Sequence, residues 1–241
     1  MRPAIAYIDG YNLYHGLLHG NSEDCLWLDL GAMVRRFLQA GEAIAAVRYY
    51  TAYPRDDPAK LARHMRFVNA LREGLGVDVR IGEYGLKSLS CHTCGARWKT
   101  FTEKMTDSAI ATDLVADAND HAYEVALLVS ADRDMIPPVR WVRGRYPKKE
   151  IRLLLPPARK GEALAAECSA VHKIHRKQLK ACQLPDPVVS AAGVQISKPD
   201  EWKTIRVQPR RSHILPLTVR RPVVHVLRRV LVALNARDVI D

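Results

Sequence analysis

The sequence predicts an α/β fold of three layers, with helices on both faces of a mainly parallel central sheet and a basic C-terminal extension. Three observations predict it. Two compact apolar runs, Ala4-Ile5-Ala6-Tyr7-Ile8 and Val125-Ala126-Leu127-Leu128-Val129, show no polar alternation, the habit of strands buried on both faces. Strand-like and helix-like stretches alternate along most of the chain, as parallel strands joined by crossover helices require. Each apolar run also leads directly into an acid-bearing turn, Asp9-Gly10-Tyr11-Asn12 in one case and Ser130-Ala131-Asp132-Arg133-Asp134 in the other.

Taken in order, 4–8 is the first predicted strand, and Asp9 could cap a helix starting near Tyr11. Leu30, Met33, Val34, Phe37 and Leu38 give 27–40 helical spacing, stopped by Gly41. Residues 43–53 form a second strand, Pro54 to Pro58 a turn, and 60–72 a helix punctuated by Gly74 and Gly76. A third strand is expected at 77–84, and a Cys-containing insertion near 88–103 follows it. The remaining pattern is a helix at about 107–121, strands at 124–130, 151–155 and 171–175, and helices at 135–143 and 161–169. Pro185-Asp186-Pro187 sets the expected boundary, with one domain over 1–184 and an extension with a basic tail over 185–241. Within the tail, Val223, Val226, Leu227, Val230, Leu231 and Leu234 follow helical spacing, with Arg228 and Arg229 on another side. Such a helix suits a protein partner or its own domain.

No apolar run among the 241 residues approaches the ~20 needed to span a bilayer, so no membrane partner is expected. Met1-Arg2-Pro3 runs straight into the first strand, so no signal peptide is expected. Five cysteines, odd in number and unevenly spaced, do not make a secreted disulfide framework. The expected compartment is the cytoplasm, and a homo-oligomer stays open. Lys and Arg number 37 against 26 Asp and Glu, a net charge of +11. Residues 206–241 hold eight Arg and two Asp, more than half of that excess. A basic balance of this size fits a polyanionic partner, with RNA the expected one.

In a parallel sheet the ligand site lies beyond the carboxyl ends of the strands. That places Asp9, Asn12, Asp132 and Asp134 on one rim. Clustered carboxylates repel one another unless a cation sits among them, which points to a metal site. The plainer alternative is that Asp9 and Asp132 only cap the turns they precede. Asp107, in Glu103-Lys104-Met105-Thr106-Asp107, starts a helix near the same rim and is either a site residue or an ordinary first-turn acid. Asp113 and Asp117 share a helix face that Asp107 does not, so Asp117 is expected at solvated surface, while Asp113 stays open.

A second candidate is Cys91-His92-Thr93-Cys94-Gly95, a knuckle whose two thiolates could face one Zn²⁺. A structural zinc needs four ligands, and Cys25, Cys168 or Cys182 could help only if the fold brought them near. The alternative is two reduced cysteines in a tight turn. His172 and His175 lie in an expected strand and read as structural. Neither Gly82-Glu83-Tyr84-Gly85 nor Gly74-Leu75-Gly76 has the spacing of a nucleotide-binding loop.

The sequence resembles the NYN domain family, a branch of the PIN-like nuclease superfamily that includes LabA-like members. The resemblance rests on Tyr7-Ile8-Asp9-Gly10-Tyr11-Asn12-Leu13-Tyr14, on Glu103-Lys104-Met105-Thr106-Asp107 with Ala111-Thr112-Asp113-Leu114, and on Leu128-Val129-Ser130-Ala131-Asp132-Arg133-Asp134. It implies a PIN-like sheet and a metal-dependent endoribonuclease. The family's acidic positions fall on Asp9, Asp107, Asp132 and Asp134, with Asn12 supporting the first. Mg²⁺ or Mn²⁺ suits such a donor set, because hard cations prefer carboxylate oxygen to imidazole or thiolate. Asp9, Asp107 and Asp132 are then the expected direct ligands, with Asp134 binding directly or through water. The family usually has Ser-Gly-Asp-Ser-Asp where Ala131 and Arg133 stand here. A Gly could take backbone angles that Ala dislikes. The rival implication is therefore a catalytically impaired NYN-fold module that binds RNA or regulates.

Overall fold

The computed structural model describes residues 1–55 and 57–203, without the side chains of residues 100 and 103. The tail arginines and the expected 223–236 helix lie outside the described residues. The first strand, β1 (Arg2–Asp9), leads into α1 (Gly10–His19) and α2 (Leu30–Arg35). Next come β2 (Glu42–Thr51), α3 (Pro58–Asn69) and β3 (Asp78–Ile81). A hairpin of β4 (Glu83–Ser90) and β5 (Arg97–Lys104) precedes α4 (Thr106–Asn119). Strand β6 (Val125–Val129), α5 (Ile136–Arg145), β7 (Glu150–Leu155), α6 (Glu162–Ala165), β8 (Ala170–Lys173) and α7 (Arg176–Lys180) follow.

Six strands form the central sheet in the order β3-β2-β1-β6-β7-β8, and every neighbouring pair is parallel. The two apolar runs are its centre, for the reason their composition suggests. In β1, Ala4, Ala6 and Ile8 enter one core while Ile5 and Tyr7 enter the other. In β6, Val125, Leu127 and Val129 divide from Ala126 and Leu128 in the same way. The first core is closed by Leu13 and Leu17 of α1, Met33 of α2, Phe67 of α3 and Leu179 of α7. Ile110 and Leu114 of α4, Val139 of α5 and Leu164 of α6 close the second. The three-layer α/β/α architecture follows directly from this two-sided burial. Among the described residues no helix is long and apolar enough to cross a membrane.

Where elements differ from expectation, backbone bonding explains the difference. The helix expected over 27–40 is only Leu30–Arg35, because the preceding backbone is engaged elsewhere. Trp27 accepts the Leu184 N–H, Leu28 bridges Gln183, and the Asp29 N–H donates to Cys182. The strand expected over 77–84 stops at Ile81: the Gly82 N–H donates to Thr51, and the chain then leaves the sheet for the β4–β5 hairpin. Packing continues beyond residue 184, through β9 (Val188–Val189), β10 (Gln195–Ile196) and α8 (Asp200–Lys203). Val188 is buried, and Trp202 lies edge-on to Trp27 and Phe67.

Two polar networks brace the sheet. At its amino edge Arg152, 0% exposed, meets Glu42 at 2.6 and 2.7 Å and Glu150 at 2.7 Å. Arg2 links Glu42, Glu124 and Glu150 from the surface side. The second network corrects an expectation about α4. Asp117 is buried, not solvated: it accepts the Tyr7 hydroxyl at 2.5 Å and pairs with Arg48 at 2.6 Å. Asp113, one turn earlier, accepts the Tyr50 hydroxyl at 2.7 Å. This face of α4 therefore anchors the helix to β1 and β2, while Asp107 starts it at the rim.

Candidate active site

The strand order reverses between β1 and β6. β2 and β3 extend to one side of β1, while the chain returns past β1 to build β6, β7 and β8 on the other. Open parallel sheets bind ligands in the crevice beyond such a switch point, where the loops leaving adjacent strands separate. Asp9 is the last residue of β1, and Ser130 follows the last residue of β6.

Asp9 caps α1. One carboxylate oxygen accepts the Asn12 backbone N–H at 2.9 Å, and the other accepts the Asn12 side-chain amide at 2.5 Å and the Ser130 hydroxyl at 2.9 Å. The tight approach of this helix depends on Gly10, where a Cβ would stand 2.6 Å from the Tyr50 carbonyl and 2.8 Å from the Tyr49 hydroxyl. Ser130 in turn accepts the Asp132 N–H at 3.1 Å, so one hydroxyl ties the two strand ends together. Asp132 caps the short turn that starts at Arg133 and accepts the Asp134 N–H at 2.9 Å. The capping roles weighed for Asp9 and Asp132 are thus present, and they leave both residues on the rim.

Asp107 enters from α4. The residue before the helix, Met105, has φ of 76°, a left-handed conformation uncommon outside glycine that turns the chain sharply out of β5. Burial is the main reason that the Asp107 carboxyl is pushed up to about 6, and the charges of Asp9, Asp132 and Asp134 add to it. Burial likewise raises Asp9, against the hydrogen bonds from Asn12 and Ser130, and Asp132 contributes repulsion. The four acids therefore share one field, though they come from three distant segments. As arranged, no three His, Cys, Asp or Glu side chains among the described residues close around an ion-sized space.

This field gives a pH signature. Asp107 binds a proton more tightly folded than unfolded, with about 6 against its ordinary 3.8. Its contribution to stability is thus fully present below pH 3.8 and is lost as pH rises through about 6. In EDTA, wild type should lose on the order of 1–2 kcal/mol across that window, once partial exposure is allowed for. Asp107→Asn should flatten this part of the curve in urea unfolding at successive pH values. A wild-type curve without the decline would show that burial and the neighbouring acids together do not hold a proton on Asp107.

Two residues of the site were not singled out from sequence. Ser130 lies within the acidic segment, where the sequence marks it only as part of a motif. Arg159 donates twice to the Asn12 side-chain oxygen, at 2.8 and 3.2 Å. With that oxygen engaged, Asn12 orients Asp9 through its amide and does not offer a neutral oxygen to a ligand. Gly16 admits the loop carrying Arg159, since a Cβ there would stand 2.6 Å from Pro156 Cβ. The departures from the family pattern also look different in place. Ala131 is not among the described residues with positive φ, so no glycine freedom is needed there, and Arg133 is exposed.

The cysteine knuckle lies at the tip of the β4–β5 hairpin, away from any strand-to-helix junction. Gly95, at φ of 69°, closes the turn by donating its N–H to the Cys91 carbonyl. The backbone N–H of Cys94, then its thiol and the Thr93 N–H, hold the Cys91 thiol below the usual range. The turn thus has knuckle shape, but the expected zinc site is not completed. Cys25 and Cys182 are buried elsewhere, Cys168 packs on the second core, and no third ligand joins the pair among the described residues. His172 packs on Phe37, with ring centroids 5.7 Å apart, and His175 begins α7, both structural positions.

Comparison with known proteins places this geometry in context. The family model described as the NYN domain matches residues 4–175, which contain all four acids, Asn12, Ser130 and Arg159. A solved structure of a protein of unknown function from Vibrio parahaemolyticus RIMD 2210633 is similar in fold, with a TM-score of 0.50 and 20% identity. The match covers 72% of this chain and 94% of that one. No match was found among curated proteins.

Proposed function

The chain belongs to the NYN domain family and so to the PIN-like superfamily, a nuclease-type fold; on that premise we propose that it is a Mg²⁺- or Mn²⁺-dependent endoribonuclease. The observation that carries the reading is the shared field of Asp9, Asp107, Asp132 and Asp134 at the switch point of the sheet. An all-oxygen, all-anionic donor set matches hard divalent cations and no softer metal. Bound among these acids, the cation would lower the pKa of water and neutralise phosphate oxygens. Loading requires the acids to draw together, since no three enclose an ion as they stand. Exposed Asp134 and half-buried Asp107 and Asp132 have room to turn, whereas Asp9 is held by Asn12 and Ser130.

The chain's own groups supply the rest. Arg159 fixes Asn12, Asn12 and Ser130 fix Asp9, and the fixed carboxylate gives the site one rigid wall. The guanidinium of Arg159 also places positive charge beside the acids, where a polyanion's phosphates can approach. The rival reading, an impaired RNA-binding module, drew its force from Ala131 and Arg133. Ala131 in ordinary backbone and Arg133 at the surface weaken that argument.

The test is cleavage of a mixed RNA pool, with a circular RNA included as a substrate without ends. With Mn²⁺ present both should be cut, and EDTA should stop the reaction until metal is restored. Equal cleavage in EDTA, or none with any divalent metal, would overturn the assignment.

A further inference from the structure

Beside the acids lies a cleft of about 130 Å³ that the chemistry above leaves unused. It opens between α1 and α3, and Gly10 and Tyr11, the residues directly after Asp9, form part of its wall. The cleft and the acidic rim therefore meet at the amino end of α1. We propose that this cleft is a subsite for one unpaired nucleobase next to the scissile phosphate. The proposal rests on the ribonuclease reading and deepens it.

The lining is that of a stacking site. Tyr11 and Tyr14 of α1 stand on one side, with Phe67 of α3 and Trp202 of α8 also facing the space. Trp202 is braced edge-on by Phe67 at 6.0 Å and Trp27 at 6.3 Å, which holds a flat apolar surface in place. Bases stack on such side chains whatever their identity, because every base has a π-face. One polar group is suited to a base edge. His64 lies with Nε2 3.0 Å from the Thr51 hydroxyl. Burial, with Lys60 nearby, lowers it to about 4, so at neutral pH its imidazole is uncharged, and with Nε2 held by Thr51 its Nδ1 can donate or accept according to the tautomer.

Charge completes the argument. Lys60 and Arg63 line the same cleft, and the Lys60 ammonium lies 5.3 Å over the Tyr14 ring. His15, also on the lining, is lowered by burial and then by the positive charges of His19, Lys60 and Arg159. Lys60 at the cleft and Arg159 beside the acids thus both lie near His15 of α1, while Arg63 pairs with Glu201 at 3.3 Å. An apolar slot edged by cations fits a nucleotide, whose base is flat and whose phosphates are anionic. A base within a duplex could not enter, because it stays stacked and paired.

The proposal is tested by binding in EDTA, where cleavage plays no part. Full-length protein is titrated into a fluorescently labelled RNA oligonucleotide of about ten residues, single-stranded or annealed to its complement. Anisotropy should show the single strand bound at least about tenfold tighter, as a stacked base predicts. Trp202→Ala should weaken single-strand binding about tenfold to a hundredfold and leave duplex binding unchanged. If that variant fails to fold by circular dichroism, Tyr14→Ala, also on the lining, is read in its place. Equal binding of the two RNA forms, or unchanged binding by a folded cleft variant, would overturn the subsite. A protein that binds as expected but never cuts RNA with Mn²⁺ would sink the nuclease reading and leave the cleft standing.

Discussion

Asp132→Asn is expected to reduce Mn²⁺-supported RNA cleavage by about 10²–10³-fold, the loss that follows when a few kcal/mol of electrostatic stabilisation leave a site. Asp132 is the better choice for this test than Asp9. Asp9 is 3% exposed and accepts three hydrogen bonds, and an Asn there would turn a donor toward Asn12 or Ser130. Loss of activity in that variant would mix chemistry with a damaged helix cap. Asp132 is half-buried and its observed capping contact is a single bond from the Asp134 N–H, which an Asn side-chain oxygen can keep. Melting temperature in EDTA should accordingly stay near the wild-type value. Cleavage at wild-type rate by folded Asp132→Asn would remove Asp132 from the site.

The largest stability effect is expected at the other edge of the sheet. Arg152→Ala should cost about 3–5 kcal/mol, because it strips a buried carboxylate of its main partner. Glu42 has a side chain only 1% exposed and would retain Arg2 at 3.2 Å and the Gln39 N–H at 2.8 Å. Replacing the pair together, as Arg152→Met with Glu42→Leu, should recover most of the loss, since apolar residues of similar size leave no uncompensated charge. Urea unfolding of the single and double variants checks both figures. A single variant within about 1 kcal/mol of wild type would show that water reaches Glu42.

The difference between what the sequence shows and what it hides has a physical basis. Two-sided burial demands continuous apolar residues, so β1 and β6 announced both themselves and the rim at their ends. The order of the acids followed from that rim, because a residue next to a buried strand has few places to go. Partners far apart in sequence were hidden. Arg159 reaches Asn12 across 147 positions, and nothing local in Pro156-Pro157-Ala158-Arg159 distinguishes it from a surface arginine. Asp117 was hidden for a similar reason. Helical spacing groups Asp113 with Asp117, but only the sheet beneath supplies Tyr7, Arg48 and Tyr50, which make that face an anchor. The hairpin strands alternate too little to separate β3 from β4. The break is set by the Gly82 N–H meeting Thr51, a contact between elements.

Strand β1 begins at Arg2 in the amino-edge ion network and ends at Asp9 in the acidic rim. Seven residue steps at ~3.3 Å put about 23 Å between them, a separation at which two unit charges interact by only about 0.7 kcal/mol at an effective dielectric of about 20. The strand works as an insulator between two circuits of charge. Rewiring one should barely move the voltage at the other, so the scaffold's strength and the rim's chemistry can be tuned nearly one at a time.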